Sequence, residues 1–151
     1  MPLLDPDGDY LVSAWKNHVY PLAAKMKMPM KRPPIQPRSR LAHEAAKWAD
    51  RHEAFGEYNI AIFRAFFEYG KDIGDIAILK GLAADLNLDA ESLDVSLKKG
   101  EFTDMVLADE NEAGKIGVRA VPAFAADGNV LAAGVQTAKR LQELLSRPGA
   151  V

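Results

Sequence analysis

The sequence predicts a mainly helical α/β fold that closes with a short antiparallel hairpin and a last helix. Three observations carry this expectation. From Tyr10 to about Ile116, apolar residues recur at spacings of three and four, the period of one helix face. The pattern then changes to period two around Ala123–Ala126 and Val130–Ala133. Between those runs stands Asp127-Gly128-Asn129, read as a three-residue hairpin turn in which glycine takes positive φ. With 151 residues, 48% apolar and 26% charged, the chain suits a single domain that buries roughly 70% of its unfolded surface.

The first helix is expected over Tyr10–Met28, where Leu11, Ala14, Trp15, Val19, Leu22 and Met26 form one apolar face. Pro21 has no N–H to donate, which predicts a kink near Asn17–Pro21 or a second helix starting at the proline. Pro29, Pro33, Pro34 and Pro37, mixed with Lys31, Arg32 and Arg38, favour an extended connection. Ser39 is the N-cap candidate for a helix through His52. Its inward side holds Leu41, Ala45, Trp48, Ala49 and His52, with Arg40, Glu44, Lys47 and Arg51 largely opposite.

The stripe Phe55, Tyr58, Ile62, Phe66 and Tyr69, widened by Phe63 and Phe67, marks a helix near the centre of the core. Asp72–Asp75 supplies turn and cap chemistry before a fourth face of Ile76, Leu79, Leu82, Ala83 and Leu86. Asp89 caps a short helix holding Leu93 and Leu97, which Gly100 ends in a left-handed conformation. Phe102, Thr103 and Leu107 match a hydrophobic staple around an N-cap, so a sixth helix should run to about Ile116 and stop at Gly117. Thr137 caps the C-terminal helix, with Leu141, Leu144 and Leu145 inward.

Composition narrows the function classes. Nineteen basic and 21 acidic residues leave a net charge of −2, which gives no electrostatic footprint for nucleic acid. No apolar run approaches the ~20 residues that span a bilayer, and the N-terminus lacks the plan of a signal peptide, so no membrane partner and a cytoplasmic location are expected. Without cysteine these residues have no disulfide, thiolate metal site or thiol nucleophile. His43-Glu44 lacks the partner of a zinc motif because Lys47 stands one turn on and His52 comes too late. No metal and no cofactor are expected. His18, beside Trp15 and Tyr20, has no nucleophile to serve. Asp109, Glu110 and Glu112 read as a solvated helix face. Met26, Met28 and Met30 alternate with Lys25, Lys27 and Lys31, and gap-filling in the core is their commoner use over a soft binding surface.

The order of several segments resembles one family. The run Pro33-Pro34-Ile35-Gln36-Pro37-Arg38-Ser39-Arg40-Leu41-Ala42 is followed by Phe63-Arg64-Ala65-Phe66-Phe67-Glu68 and Gly70-Lys71-Asp72-Ile73-Gly74-Asp75. Asp109–Gly117, Val121-Pro122, Phe124 and Gly134-Val135-Gln136 continue the match. Together they resemble DsbA-like thioredoxin-fold oxidoreductases of the FrnE and 2-hydroxychromene-2-carboxylate isomerase type, from about Tyr10 onward. The resemblance implies one domain over 1–151, with a helical insertion at about 10–116 and a C-terminal thioredoxin-like hairpin and helix at about 117–151. It also implies an N-terminal strand, a Cys-x-x-Cys helix and a second strand. The eight residues Met1–Gly8 are too few to supply them, since a parallel crossover takes about a dozen residues or more. The fold is therefore expected to be an incomplete thioredoxin-like one.

In that family Pro122 corresponds to a cis-proline facing the redox motif, and Ala120, Val121 and Pro122 carry over as the contact for a peptide, thiol or glutathione-type ligand. An X–Pro bond costs only about 0.5–1 kcal/mol to hold cis, and backbone groups left outward there can pair with an extended peptide. Alternatively, Pro122 simply starts an edge strand, where a missing N–H is harmless. Two main readings follow: a thiol–disulfide oxidoreductase-related or glutathione-linked isomerase-like module whose reactive residue lies outside these residues, so that it cannot exchange disulfides alone, or a thioredoxin-like association module. The second predicts a homodimer, or a partner chain completing the sheet. A third reading has a cavity lined by Trp15, Trp48, Phe63 and Phe66 that takes a small aromatic or apolar molecule.

Overall fold

The computed structural model describes Asp5 and residues 7–146. The chain divides into two compact units, Met1–Val106 and Leu107–Val151. The first opens with α1 (Asp9–Ala14), a π-helical turn (Trp15–Val19) and α2 (Tyr20–Lys25). The expected proline kink is realised as this wider turn. Tyr20 N–H reaches back five residues to Trp15 O, and Pro21 then sits in the first turn of α2, where a missing donor is harmless. Lys27 takes φ 54°, ending the helix well before Met28.

The core lies among α3 (Arg40–Arg51), α4 (Phe55–Phe67), α5 (Ile76–Asp85) and α6 (Ala90–Lys99). Ala42, Ala45, Ala46 and Ala49 give α3 a small-residue face, against which Tyr58, Ile62, Ala65, Leu79, Ala83, Leu93, Leu97 and Phe102 close, with Trp48 the largest buried ring. Tyr58 donates its O–H to Leu79 O at 2.8 Å, fixing α4 against α5. Asp75 accepts from Ala77 N–H, and Asp89 from Glu91 and Ser92 N–H, as N-caps. Gly100 ends α6 at φ 65°.

Several expectations change here. Ser39 sits before α3 but its hydroxyl caps nothing, because its backbone is already helical at φ −73°, ψ −3°. His52 lies one residue past the helix; its ring tilts over Trp48 and its Nδ1 meets Trp48 O at 2.8 Å. Glu44, assigned to the outer face, is buried, and its carboxylate accepts from the Thr103 hydroxyl at 3.0 Å. Thr103 is thus the first residue of α7 (Thr103–Lys115), its hydroxyl committed to Glu44. Phe55, Phe63 and Tyr69 are exposed, so the aromatic stripe of α4 is only partly a core face.

In the second unit, α7 ends in a paired motif: Val118 N–H bonds to Ala113 O and Gly117 N–H to Gly114 O, with Gly117 at φ 86°. The hairpin pairs β1 (Ala123–Ala126) with β2 (Asn129–Ala133). Its loop has two residues, not three. Asp127 (φ 48°) and Gly128 (φ 74°) are both left-handed, the backbone a type I′ turn needs, and Asn129 already pairs with Ala126. Phe124 pairs with Ala132 but Ala125 with Val130, so Leu131 is an extra residue. That bulge breaks the period-two pattern, leaving Val130, Leu131 and Ala132 all half-buried. The last helix, α8 (Ala138–Leu145), is capped by Thr137. It buries Leu144, half-buries Leu141 and exposes Leu145, which the sequence had turned inward.

Candidate functional site

Ala120, Val121 and Pro122 lie between α7 and β1, immediately ahead of the first strand residue. All three are exposed, Val121 at 85%. The Val121–Pro122 peptide bond is cis. Pro122 O accepts from Gly134 N–H at 2.7 Å, which ties this corner to the end of β2. Gln136 braces the same end, its Nε2 donating to Ala133 O and Gly134 O. No described residue hydrogen-bonds to the backbone of Ala120 or Val121. An apolar, solvent-facing corner with open main-chain donors and acceptors can receive an extended segment. It holds no nucleophile and no general base.

A second concave feature lies wholly in the first unit. Met28, Pro29, Met30, Phe63, Arg64, Phe67 and Glu68 line an open groove of about 450 Å³. Two of the three methionines do not fill gaps: Met26 and Met28 are exposed at 60% and 49%, whereas Met30 is half-buried. Met28 follows the left-handed Lys27 at the end of α2 and its N–H bonds to Ala23 O, and Lys31 N–H then ties the segment to Phe67 O at 2.7 Å. Phe63 stacks on Phe67 at 6.2 Å between ring centres. Arg64 Nε meets Glu68 Oε2 at 2.9 Å, and Arg64 also donates to Tyr69 OH. The hydrogen bond from Arg64 to Glu68, helped by the Tyr69 hydroxyl and the charges of Arg64 and Lys31, outweighs partial desolvation and holds the Glu68 carboxyl below the usual carboxylate range.

The cavity of four aromatic residues is not formed. Trp48 is sealed in the α3–α6 core, whereas Trp15 and Phe66 line a smaller hollow of about 180 Å³ with Arg32, Pro33 and Ile35, and Phe63 lines the larger groove. Phe67 borders both hollows. Among the described residues, no three His, Asp or Glu side chains gather where a metal ion would sit, and no helix is long and apolar enough to cross a membrane. The signal for the groove was present as Lys-Met alternation and an aromatic stripe too wide for one core face.

Residues 12–146 match the DSBA-like thioredoxin domain. This chain belongs to that family. It is also 32% identical over 106 residues to "Uncharacterized protein YwbO" of Bacillus subtilis (strain 168), an alignment covering 69% of this chain and 52% of the relative. The chain thus spans about half the length of that curated relative. Among solved structures it resembles that of a "putative protein disulfide isomerase" from Nitrosomonas europaea. That likeness has a TM-score of 0.71 and 20% identity, and covers 96% of this chain and 74% of the other. The helical architecture with a two-stranded sheet is accordingly a DsbA-like fold. Unlike a dithiol oxidoreductase, these 151 residues contain no cysteine.

Proposed function

We propose that this DsbA-like chain is an oxidoreductase-related binding module: it holds an extended peptide or thiol-bearing ligand at Ala120, Val121 and Pro122 without exchanging disulfides itself. The observation that carries the reading is the exposed corner whose Ala120 and Val121 backbone groups are unspent, in a chain with no thiolate to attack sulfur. Main-chain pairing at such a corner tolerates many sequences, as strand addition does. Two measurements test it. Purified chain should not accelerate insulin reduction by dithiothreitol; acceleration would contradict the non-catalytic half. Titration with an extended cysteine-containing peptide should shift the Ala120 and Val121 amide resonances, and Val121→Pro, which removes one donor, should weaken those shifts. Shifts confined to other residues would displace the site.

A second reading rests on the sheet. It has two strands among the described residues, and an isolated two-stranded hairpin is marginal in water. A second copy, or a partner chain supplying a strand, would complete it. Sedimentation should then find a dimer at micromolar concentration, and a monomer there would remove this reading.

A further inference from the structure

We infer that the groove between the Met28–Met30 segment and α4 is a docking site for an acidic amphipathic segment of a partner polypeptide. Its volume, about 450 Å³, is of pocket size, within the range of about 300–1,000 Å³ typical of ligand sites. Its walls are Met28, Pro29, Met30, Phe63 and Phe67, and methionine adapts its shape to varied apolar partners. Phe63, Met28 and Ile60 are exposed beside the hollow, with Ile60 one helical turn from Phe63 on α4, so apolar surface continues past its rim.

Charge selects the occupant. The wall-forming segment reads Lys25-Met26-Lys27-Met28-Pro29-Met30-Lys31, with all three lysines exposed. Glu68, the acidic residue of the groove's lining, is paired with Arg64 and also lies near Lys31, so the lining has no further acidic group to balance Lys25 and Lys27. An apolar anchor with Asp or Glu around it satisfies both features. The groove is concave, which favours a side chain inserted from a helix or turn over a flat lipid surface. The site lies in the first unit and is independent of the Ala120–Pro122 corner.

The test uses the full chain and two labelled, helix-forming peptides of about 15 residues. Both carry the same Leu and Phe on one face; one carries Glu elsewhere, its twin Lys. Fluorescence anisotropy should show micromolar binding of the Glu peptide and at least about tenfold weaker binding of the Lys twin. Phe63→Ser should weaken the Glu peptide by about tenfold or more, and K27E/K31E should reverse the preference. Should Phe63→Ser lose its helical circular dichroism, Met28→Ser reads the same wall from an exposed position. Equal binding of both peptides, indifference to the wall variants, or no binding overturns the inference. So does binding of phosphatidylglycerol vesicles or free laurate in place of the peptide.

Discussion

Tyr58 shows how one side chain fixes two helices and what alkali should do to that contact. Its ring is buried and its hydroxyl donates to Leu79 O. Burial disfavours the phenolate and raises its pKa well above the ordinary value. An unfolded chain titrates this group near its ordinary value of about 10, so above that pH the unfolded state binds fewer protons than the native one. Stability from the neutral buried phenol is therefore complete below about pH 10 and falls as pH rises further. Tyr58→Phe should cost about 1 kcal/mol near neutrality, measured by urea unfolding. The gap between the two proteins should narrow above about pH 10. A gap that stays constant into strong alkali would contradict burial as the cause.

The helix ends show which parts of the sequence were legible. Asp75, Asp89, Gly100, Gly117 and Thr137 act as their chemistry predicts, because a cap uses only a few neighbouring residues. Ser39 fits the same local rule and does not cap, and Thr103 spends its hydroxyl on Glu44, 59 positions away in sequence. Distant partners are invisible to periodicity. Asp89→Ala should therefore cost about 1 kcal/mol of stability, whereas Ser39→Ala should change it little. Gly100→Ala should also destabilise the protein, by about 1–2 kcal/mol or more. It forces a left-handed alanine whose Cβ would meet Thr103 Oγ1 at 2.9 Å. Thermal melts of the three variants check the order; a Ser39→Ala loss equal to that of Asp89→Ala would contradict the cap assignments. The bulge at Leu131 escaped the sequence for a related reason, since its extra residue disguises the alternation that marks a strand. At the candidate sites, Pro122 stood out because proline restricts backbone anywhere. The groove did not, because methionine serves cores and surfaces alike.

At the scale of the whole chain, burial is unevenly shared. Every residue of the principal hydrophobic cluster lies between Ala42 and Phe102, inside the first unit. In the second unit the only apolar side chain buried among the described residues is Leu144. Local opening follows the density of buried contacts. Hydrogen exchange should thus find its most protected amides in α3–α6, and β1, β2 and α8 should exchange through smaller openings. Protection of the hairpin equal to that of α3 would contradict this ranking. The same experiment bears on association. If a second copy adds a strand, dilution should expose the hairpin amides further while leaving α3–α6 unchanged, since mass action stabilises only the elements that the partner covers.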